Sequence, residues 1–300
     1  MNFLRSHHRS EQAGRLAILL AALLWSTSGL FAKSPVFQSW NATERGLALA
    51  FWRAAFAALL LLPLARRPRW RIELVPLTLA FAAMNVTFLS AMTLGTAANA
   101  IWLQSTAPFW VFLGAVLIWR ESVIRQEWIA LACAAAGVAL ILAFELRGQA
   151  VLAALLGLGA GVFYAVVVLM LRALRDENSA WLIVLCQLAS AAVIAPFALL
   201  PGTRPTTVQL AVLAGFGTVQ MGLPYLIFAW GLARVGSRQA ALLALVEPIV
   251  TPVWVYLVWG EPVAWWTLVG GGLILLGLIA RFARTNRGRL GASPAAIDGP

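Results

Sequence analysis

The chain has 300 residues, of which 62% are hydrophobic and only 11% charged, and its formal net charge is +11. A soluble globular domain carries roughly 25% charged residues, so this composition excludes a soluble protein and predicts an integral membrane protein. The basic residues lie in short clusters between apolar segments, which is typical of membrane topology signals. We therefore expect a lipid bilayer around the chain and no nucleic-acid partner.

Ten apolar segments follow one another along the chain, and each is about long enough to cross a bilayer as a helix. They cover residues 15–34, 46–64, 74–94, 99–119, 127–146, 150–171, 180–200, 206–230, 239–259 and 264–281. Both cysteines, Cys133 and Cys186, fall inside such segments, and both histidines lie near the amino terminus. This distribution favours neither a disulfide framework nor a metal site, and we expect no cofactor.

The connections between the spans differ in charge from one side to the other. With ten crossings, seventeen of the 22 Lys and Arg residues lie on the same side of the membrane as the amino terminus. Because basic residues concentrate on the cytoplasmic side, both termini are predicted to be cytoplasmic.

The fourth span gives the clearest sign of an internal duplication. Residues 99–121 have a counterpart at 239–261, at a shift of 140 positions. The matching residues are Ala100 and Ala240, Pro108 and Pro248, Leu117 and Leu257, Trp119 and Trp259, and Glu121 and Glu261. This repeat predicts two copies of one five-helix unit.

The two copies are predicted to cross the membrane in opposite directions. Five spans per copy is an odd number, so the second copy starts from the side opposite to the first. Arg234 and Arg238, on the inner side, align with Leu94 and Ala98 on the outer side. Basic residues are thus exchanged between matching ends, as inversion requires.

An inverted repeat is typical of secondary transporters, because its symmetry lets one fold open to either side of the membrane. The sequence therefore predicts an all-α integral membrane protein, with ten transmembrane helices arranged as two inverted five-helix repeats around a central cavity. The first repeat comprises residues 14–146, the second comprises residues 150–283, and residues 284–300 form a cytoplasmic tail.

A stripe of polar and aromatic residues follows one face of the fourth span. Asn99, Trp102, Thr106 and Trp110 recur at helical spacing. Facing a cavity, they would hydrogen-bond a substrate's polar groups and stack on its apolar part. The alternative is that both tryptophans pack between helices and that Asn99 caps the start of the span.

Polar residues in other spans are further candidates for the cavity. Asn85 in the third span aligns with Tyr225 in the eighth, and Trp25 in the first aligns with Tyr164 in the sixth after a slip of one residue. Polar groups at membrane depth face protein or water. We expect these four to line the cavity, and Gln187 to bridge helices by hydrogen bonds.

Two charged residues lie well inside predicted spans, away from the span ends. Arg53, in the second span, is expected to extend its long side chain toward the outer surface. Glu247, in the ninth span, directly precedes a proline. It is a candidate proton-coupling site, a counter-charge for a substrate amine, or a hydrogen-bonded partner of a broken helix.

Pro108 and Pro248 occupy matching positions in the two copies. Each proline removes one helical hydrogen bond and kinks its helix. Matched kinks in inverted repeats indicate a binding site near the membrane midplane and a hinge, so both prolines are predicted hinge residues.

Short motifs mark the ends and kinks of the spans. They are Leu24-Trp25-Ser26 with Lys33, Ala107-Pro108 and Glu247-Pro248, the Trp-Arg-Glu and Trp-Gly-Glu ends at 119–121 and 259–261, and Gly137 with Gly277. In these motifs the chain resembles the EamA-type ten-helix exporters of the drug/metabolite transporter superfamily, and within them the aromatic amino-acid exporters. The resemblance implies two inverted bundles in the bacterial inner membrane that export metabolites from the cytoplasm.

The predicted function is export of small metabolites by alternating access, with amino acids, including aromatic or apolar ones, as expected substrates. The alternatives are a drug or other metabolite exporter of the same superfamily, and a channel or lipid-handling protein. Catalytic motifs such as HExxH, GxSxG or a phosphate loop do not occur, so we do not expect an enzyme.

Overall fold

The structure, a computed structural model, describes residues 2–65, 69–119, 125–145, 147–148, 150–174, 176–199 and 201–284. These residues form α-helices joined by short turns, with no strand among them. The helices are α1 (Asn2–Ser26), α2 (Ser28–Ala32), α3 (Ala42–Leu61), α4 (Leu74–Leu94), α5 (Ala97–Gln104), α6 (Ala107–Trp119), α7 (Arg125–Glu145), α8 (Val151–Ala173), α9 (Ser179–Ala198), α10 (Thr207–Gly215), α11 (Leu223–Leu232), α12 (Ser237–Ala244), α13 (Val246–Trp259) and α14 (Trp265–Arg284). A π-helical segment, Phe216–Gly222, joins α10 to α11. Glu121 and nearly all of the predicted tail lie outside the described residues.

Eight helical stretches within the described ranges are long and apolar enough to cross a membrane. They are Ser10–Ala32, Ala42–Leu64, Leu74–Leu94, Trp128–Glu145, Val151–Ala173, Ser179–Ala198, Thr207–Leu232 and Gln239–Trp259. The fourth predicted span is divided between α5 and α6, and the tenth corresponds to the shorter apolar helix Trp265–Ala280. The all-helical membrane fold is confirmed, whereas ten crossings and the inversion of the repeats stay predictions.

Both repeated prolines lie just after a break in the helix. Helix α5 ends at Gln104, four residues before Pro108, and α12 ends at Ala244, four residues before Pro248. A proline has no N–H to donate to the carbonyl four residues earlier, and its ring clashes with that carbonyl. The same local cause therefore produces two breaks at equivalent positions of the two copies.

Helices of the two halves pair closely with each other. The most extensive pairings are α4 with α8, α7 with α14, α3 with α9 and α1 with α11, and each joins one half to the other. In terms of predicted spans these are third with sixth, fifth with tenth, second with seventh and first with eighth. Exchanging the halves leaves this pattern unchanged, which is what a two-fold relation between them would produce.

Glycines bring α7 and α14 into close contact. A Cβ atom added to Gly270 would lie 2.8 Å from the Gly137 carbonyl oxygen, and one added to Gly277 would lie 2.7 Å from the Ala130 carbonyl oxygen. Backbones approach this closely only where side chains are missing. The missing side chains therefore allow the fifth and tenth spans to pack closely.

Candidate substrate-binding site

Arg53 lies at the middle of the membrane-spanning part of α3, eleven residues from either end of the stretch Ala42–Leu64. It is only 3% exposed. Its Nη2 donates a hydrogen bond to the Asn85 Oδ1 on α4, and its Nε has no hydrogen-bond partner. The expectation that Arg53 extends toward the outer surface is wrong, because the side chain turns inward to Asn85.

The surroundings of Arg53 hold its guanidinium in one place. The rings of Phe88 and Phe216 have their centroids 5.9 and 5.3 Å from its Cζ, which is within cation–π range. Asn85 is itself oriented, because its Nδ2 donates to the Phe81 carbonyl oxygen at 3.1 Å. The guanidinium is therefore packed between aromatic rings and positioned by an amide of fixed orientation.

The π-helical segment approaches α3 at this point. A Cβ atom added to Gly217 would lie 2.7 Å from the Arg53 carbonyl oxygen, so only glycine permits the contact. π-Helical turns inside α-helices occur frequently at functional sites. This turn places Phe216 against Arg53, and Gln220, four residues further on, is buried.

Glu247 is the second residue of α13 and is partly buried. The described side chains form no hydrogen bond or ion pair with its carboxylate; the bond nearby is made by Thr251 Oγ1, which donates to the Glu247 carbonyl oxygen at 2.8 Å. A carboxylate without a partner among the described residues thus lies at the start of α13.

A cluster of aromatic side chains joins α1 to α11. The ring of Trp25 contacts Tyr225 edge to face and Phe228 at a tilt, with centroid distances of 5.3 Å in both cases. The backbone carbonyl of Trp25 accepts a hydrogen bond from Gln220 Nε2 at 3.0 Å. Tyr164 is 43% exposed. Of the predicted cavity residues, Trp25 thus contacts Tyr225, and Asn85 bonds Arg53. That these side chains and Tyr164 line one cavity stays a prediction.

The predicted stripe on the fourth span makes different contacts. Asn99 Nδ2 donates to Glu145 Oε1 at 2.6 Å, and Asn99 Oδ1 accepts from Thr267 at 2.7 Å. Trp102 packs on Gly271, where an added Cβ would lie 2.5 Å from the indole. These residues join α5 to α7 and α14.

The other two residues of the stripe, Thr106 and Trp110, form hydrogen bonds to neighbours in sequence. Trp110 Nε1 donates to Thr106 Oγ1 at 3.0 Å, and that hydroxyl donates to the Leu103 carbonyl oxygen at 2.6 Å. The helix is capped by Thr96, whose hydroxyl accepts from the Asn99 N–H, so Asn99 is not the cap. Whether this stripe also lines the substrate's path stays a prediction.

A polar cluster closes the ends of several helices. Lys33 Nζ pairs with Glu261 Oε2 at 2.8 Å and also bonds the Gly95 carbonyl oxygen. Glu261 Oε1 accepts from the Ala97 N–H at 2.7 Å. The acid in the Trp-Gly-Glu motif therefore binds the end of α2 and the start of α5.

An apolar cleft of about 390 Å³ opens between α3, α4, α8 and α9. Its lining is Leu47, Leu79, Ala82, Ala83, Val86, Thr87, Phe163, Val193, Ile194 and Phe197. Thr87 is the one polar residue of this lining, and its hydroxyl already donates to its own helix at 2.7 Å. The cleft thus offers apolar contact without charged groups.

Comparison with known proteins identifies the family. A model of the EamA-like transporter family matches the chain twice, over residues 12–143 and 151–282. The chain belongs to the EamA-like transporter family. It is a multi-pass membrane transporter of small metabolites, built from two copies of the EamA unit.

Two similar proteins agree with this assignment. An uncharacterized transporter of Archaeoglobus fulgidus is 28% identical over 274 residues, which cover 90% of this chain and 97% of that protein. A solved structure, titled only as the crystal structure of a protein, aligns with a TM-score of 0.63 at 19% identity, over 94% of this chain and 99% of its own. At this identity the solved structure shows a shared fold alone.

Proposed function

We propose that this EamA-family transporter exports amino acids, including aromatic and apolar ones, by alternating access of two inverted halves. The observation that carries the proposal is the buried Arg53 at the middle of its span, whose Nε has no hydrogen-bond partner among the described residues. Charged groups at this depth are costly and mark a substrate or ion pathway. The aromatic faces of Trp25 and Tyr225 suit an apolar side chain.

These residues come from both halves of the chain, which supports alternating access. Trp25, Arg53 and Asn85 belong to the first half, while Tyr225 and Glu247 belong to the second. A substrate held between the halves would be released when they rock apart on one side. In this scheme the breaks before Pro108 and Pro248 act as hinges, and the amino terminus and carboxyl terminus lie on the cytoplasmic side of the bacterial inner membrane.

Glu247 is the proposed coupling residue. Its carboxylate has no hydrogen-bonding partner among the described residues, so it is available to take up a proton or to pair with a substrate. Export driven by proton entry would require this acid to be accessible from each side in turn.

A second candidate is export of apolar drugs or other apolar metabolites, and the cleft lined by Leu79, Val86, Phe163 and Phe197 favours it. The cleft lacks the charges that an amino acid would need, so the two candidates predict different competitors. Purified protein in liposomes should take up radiolabelled phenylalanine, and leucine or tyrosine should compete. Competition by uncharged aromatic compounds, with amino acids ineffective, would favour the second candidate.

A further inference from the structure

We propose that α13 is a gate: it closes one end of the transport path by binding the first half of the chain, and it tilts away from that half once in each transport cycle. The inference rests on the proposed alternating access and deepens it, because it names the helix that moves. The ion pair between Lys33 and Glu261 holds this gate closed.

Helix α13 belongs to the second half but packs on the first. Its extensive contacts are with α1, α2 and α5. Gly29 of α2 permits the closest approach, because a Cβ atom added there would lie 2.5 Å from Val255 Cγ2. The helix therefore lies at the boundary between the two halves, where rocking of one half against the other requires movement.

Two tryptophans of α13 form hydrogen bonds across this boundary. Trp254 Nε1 donates to Ser26 Oγ at 3.2 Å, and Trp259 Nε1 donates to the Leu30 carbonyl oxygen at 3.0 Å. Both acceptors lie in the first predicted span. Tilting of α13 would break these two bonds together, because both donors are on the same helix.

Glu261 fastens the end of α13. Its Oε2 lies 2.8 Å from Lys33 Nζ, and its Oε1 accepts from the Ala97 N–H at 2.7 Å. One carboxylate thus binds the end of α2 and the start of α5. The two charged side chains are still 20% and 17% exposed, so water reaches them as they separate and the cost of opening stays below that of a fully buried pair.

Helix α13 has a joint at each end. At its start the break before Pro248 separates it from α12. At its end Gly260 has a φ of +68°, in the left-handed region that favours glycine. Beyond this turn α14 is attached separately, since Thr267 donates to Asn99 Oδ1 at 2.7 Å. A tilt of α13 about the two joints therefore leaves α14 in place.

The other face of α13 is open to the bilayer. Ile249, Val253 and Leu257 recur every four residues along this face and are 45%, 48% and 67% exposed. Because lipid tails are as apolar as these side chains, an outward tilt exposes none of this face to water. One face bound by polar contacts and one face free in lipid suit a moving helix.

The test measures the distance between two spin labels in the purified full-length transporter. They are attached at Leu257→Cys on α13 and at Val36→Cys beyond α2, where both native side chains are exposed. Cys133 and Cys186 are first replaced by alanine. We expect a predominant short distance, from the closed gate, and a minor longer one.

Glu261→Gln should raise the ratio of long to short distances about five- to thirty-fold, because it removes the ion pair and keeps an oxygen for the other bond. Trp259→Phe, which removes one indole hydrogen bond and keeps a ring, should shift the ratio in the same direction by less. Arg71→Gln is the matched control. It breaks a pair with Glu177 that also joins the halves, but before the start of α4, whereas Lys33 bonds the end of α4, so it should leave the distances unchanged.

The gate would be overturned by a single distance that neither Glu261→Gln nor Trp259→Phe changes in the folded protein, because α13 would then be a fixed strut. An equal shift with Arg71→Gln would also overturn it, since the halves would be loosening in general. The distances need no substrate. Absent phenylalanine uptake would thus reject the proposed function and leave the gate standing, whereas uptake with fixed distances would do the reverse.

Discussion

The ion pair between Lys33 and Glu261 should contribute measurably to stability, because it is partly withdrawn from water and joins the two halves. The two side chains are 20% and 17% exposed, and their charged atoms are 2.8 Å apart. Exposed pairs contribute about 0–1 kcal/mol, and breaking a buried pair costs about 3–5 kcal/mol. A coupling energy of about 1–2 kcal/mol is therefore expected for this intermediate case.

A double-mutant cycle measures that coupling. Glu261→Gln keeps an oxygen that can accept from the Ala97 N–H, so it removes the charge and preserves the other bond. Lys33→Gln and the double variant complete the cycle, with the free energy of unfolding followed by tryptophan fluorescence in detergent. The control is the cycle for Arg15 and Glu11, which are 42% and 37% exposed on one helix and should couple by about 0.5 kcal/mol or less.

Additive effects of the two substitutions would refute a stabilising ion pair. The two sites do not interact if the changes in the free energy of unfolding of the two single variants sum to that of the double variant within about 0.3–0.5 kcal/mol. The pair would then be a surface contact, and these ends of the two halves would be held together by packing instead.

Four further outcomes are expected. Gly271→Val should lower the free energy of unfolding of the purified protein by about 1–3 kcal/mol, because the valine side chain would press into the Trp102 indole. An unchanged free energy of unfolding would show that the contact is loose. Glu247→Gln should remove stimulation of transport by a pH gradient, because an amide cannot carry the proton; a retained response would assign coupling elsewhere. Pro248→Ala should slow transport more than it weakens substrate binding, and equal effects on both would contradict a hinge. Cysteines placed at Arg69 and Arg204 should be labelled from opposite sides of the membrane, and labelling from one side would refute the inverted repeat.

Features set by local sequence could be predicted well. The two helix breaks follow from the missing N–H of proline and the clash of its ring, so the positions of Pro108 and Pro248 in the sequence predicted both breaks. The contact of α7 with α14 follows from glycines that permit close approach, such as Gly137 and Gly277. Both features depend on what a residue lacks, which the sequence shows directly.

Features that depend on a neighbouring helix could not be predicted in the same way. The depth of Arg53 was evident, but its partner Asn85 lies 32 positions away on a separate helix, and only the packing of α3 on α4 shows that the side chain turns inward. Gln187 was expected to bridge helices, yet its buried amide has no partner among the described residues, so that expectation is wrong. The π-helical turn at Phe216–Gly222 leaves no clear pattern, because one extra residue in a turn does not disturb an almost uniformly apolar segment.

Counterflow tests the central claim most directly, because it requires a carrier with a saturable site open to each side in turn. Liposomes containing the transporter are loaded with unlabelled phenylalanine and diluted into a trace of labelled phenylalanine. The account predicts transient accumulation of label that saturates with concentration and is abolished by Arg53→Gln. Entry of label that never exceeds simple equilibration, or that proceeds equally without internal phenylalanine, would contradict an amino-acid carrier and favour a channel.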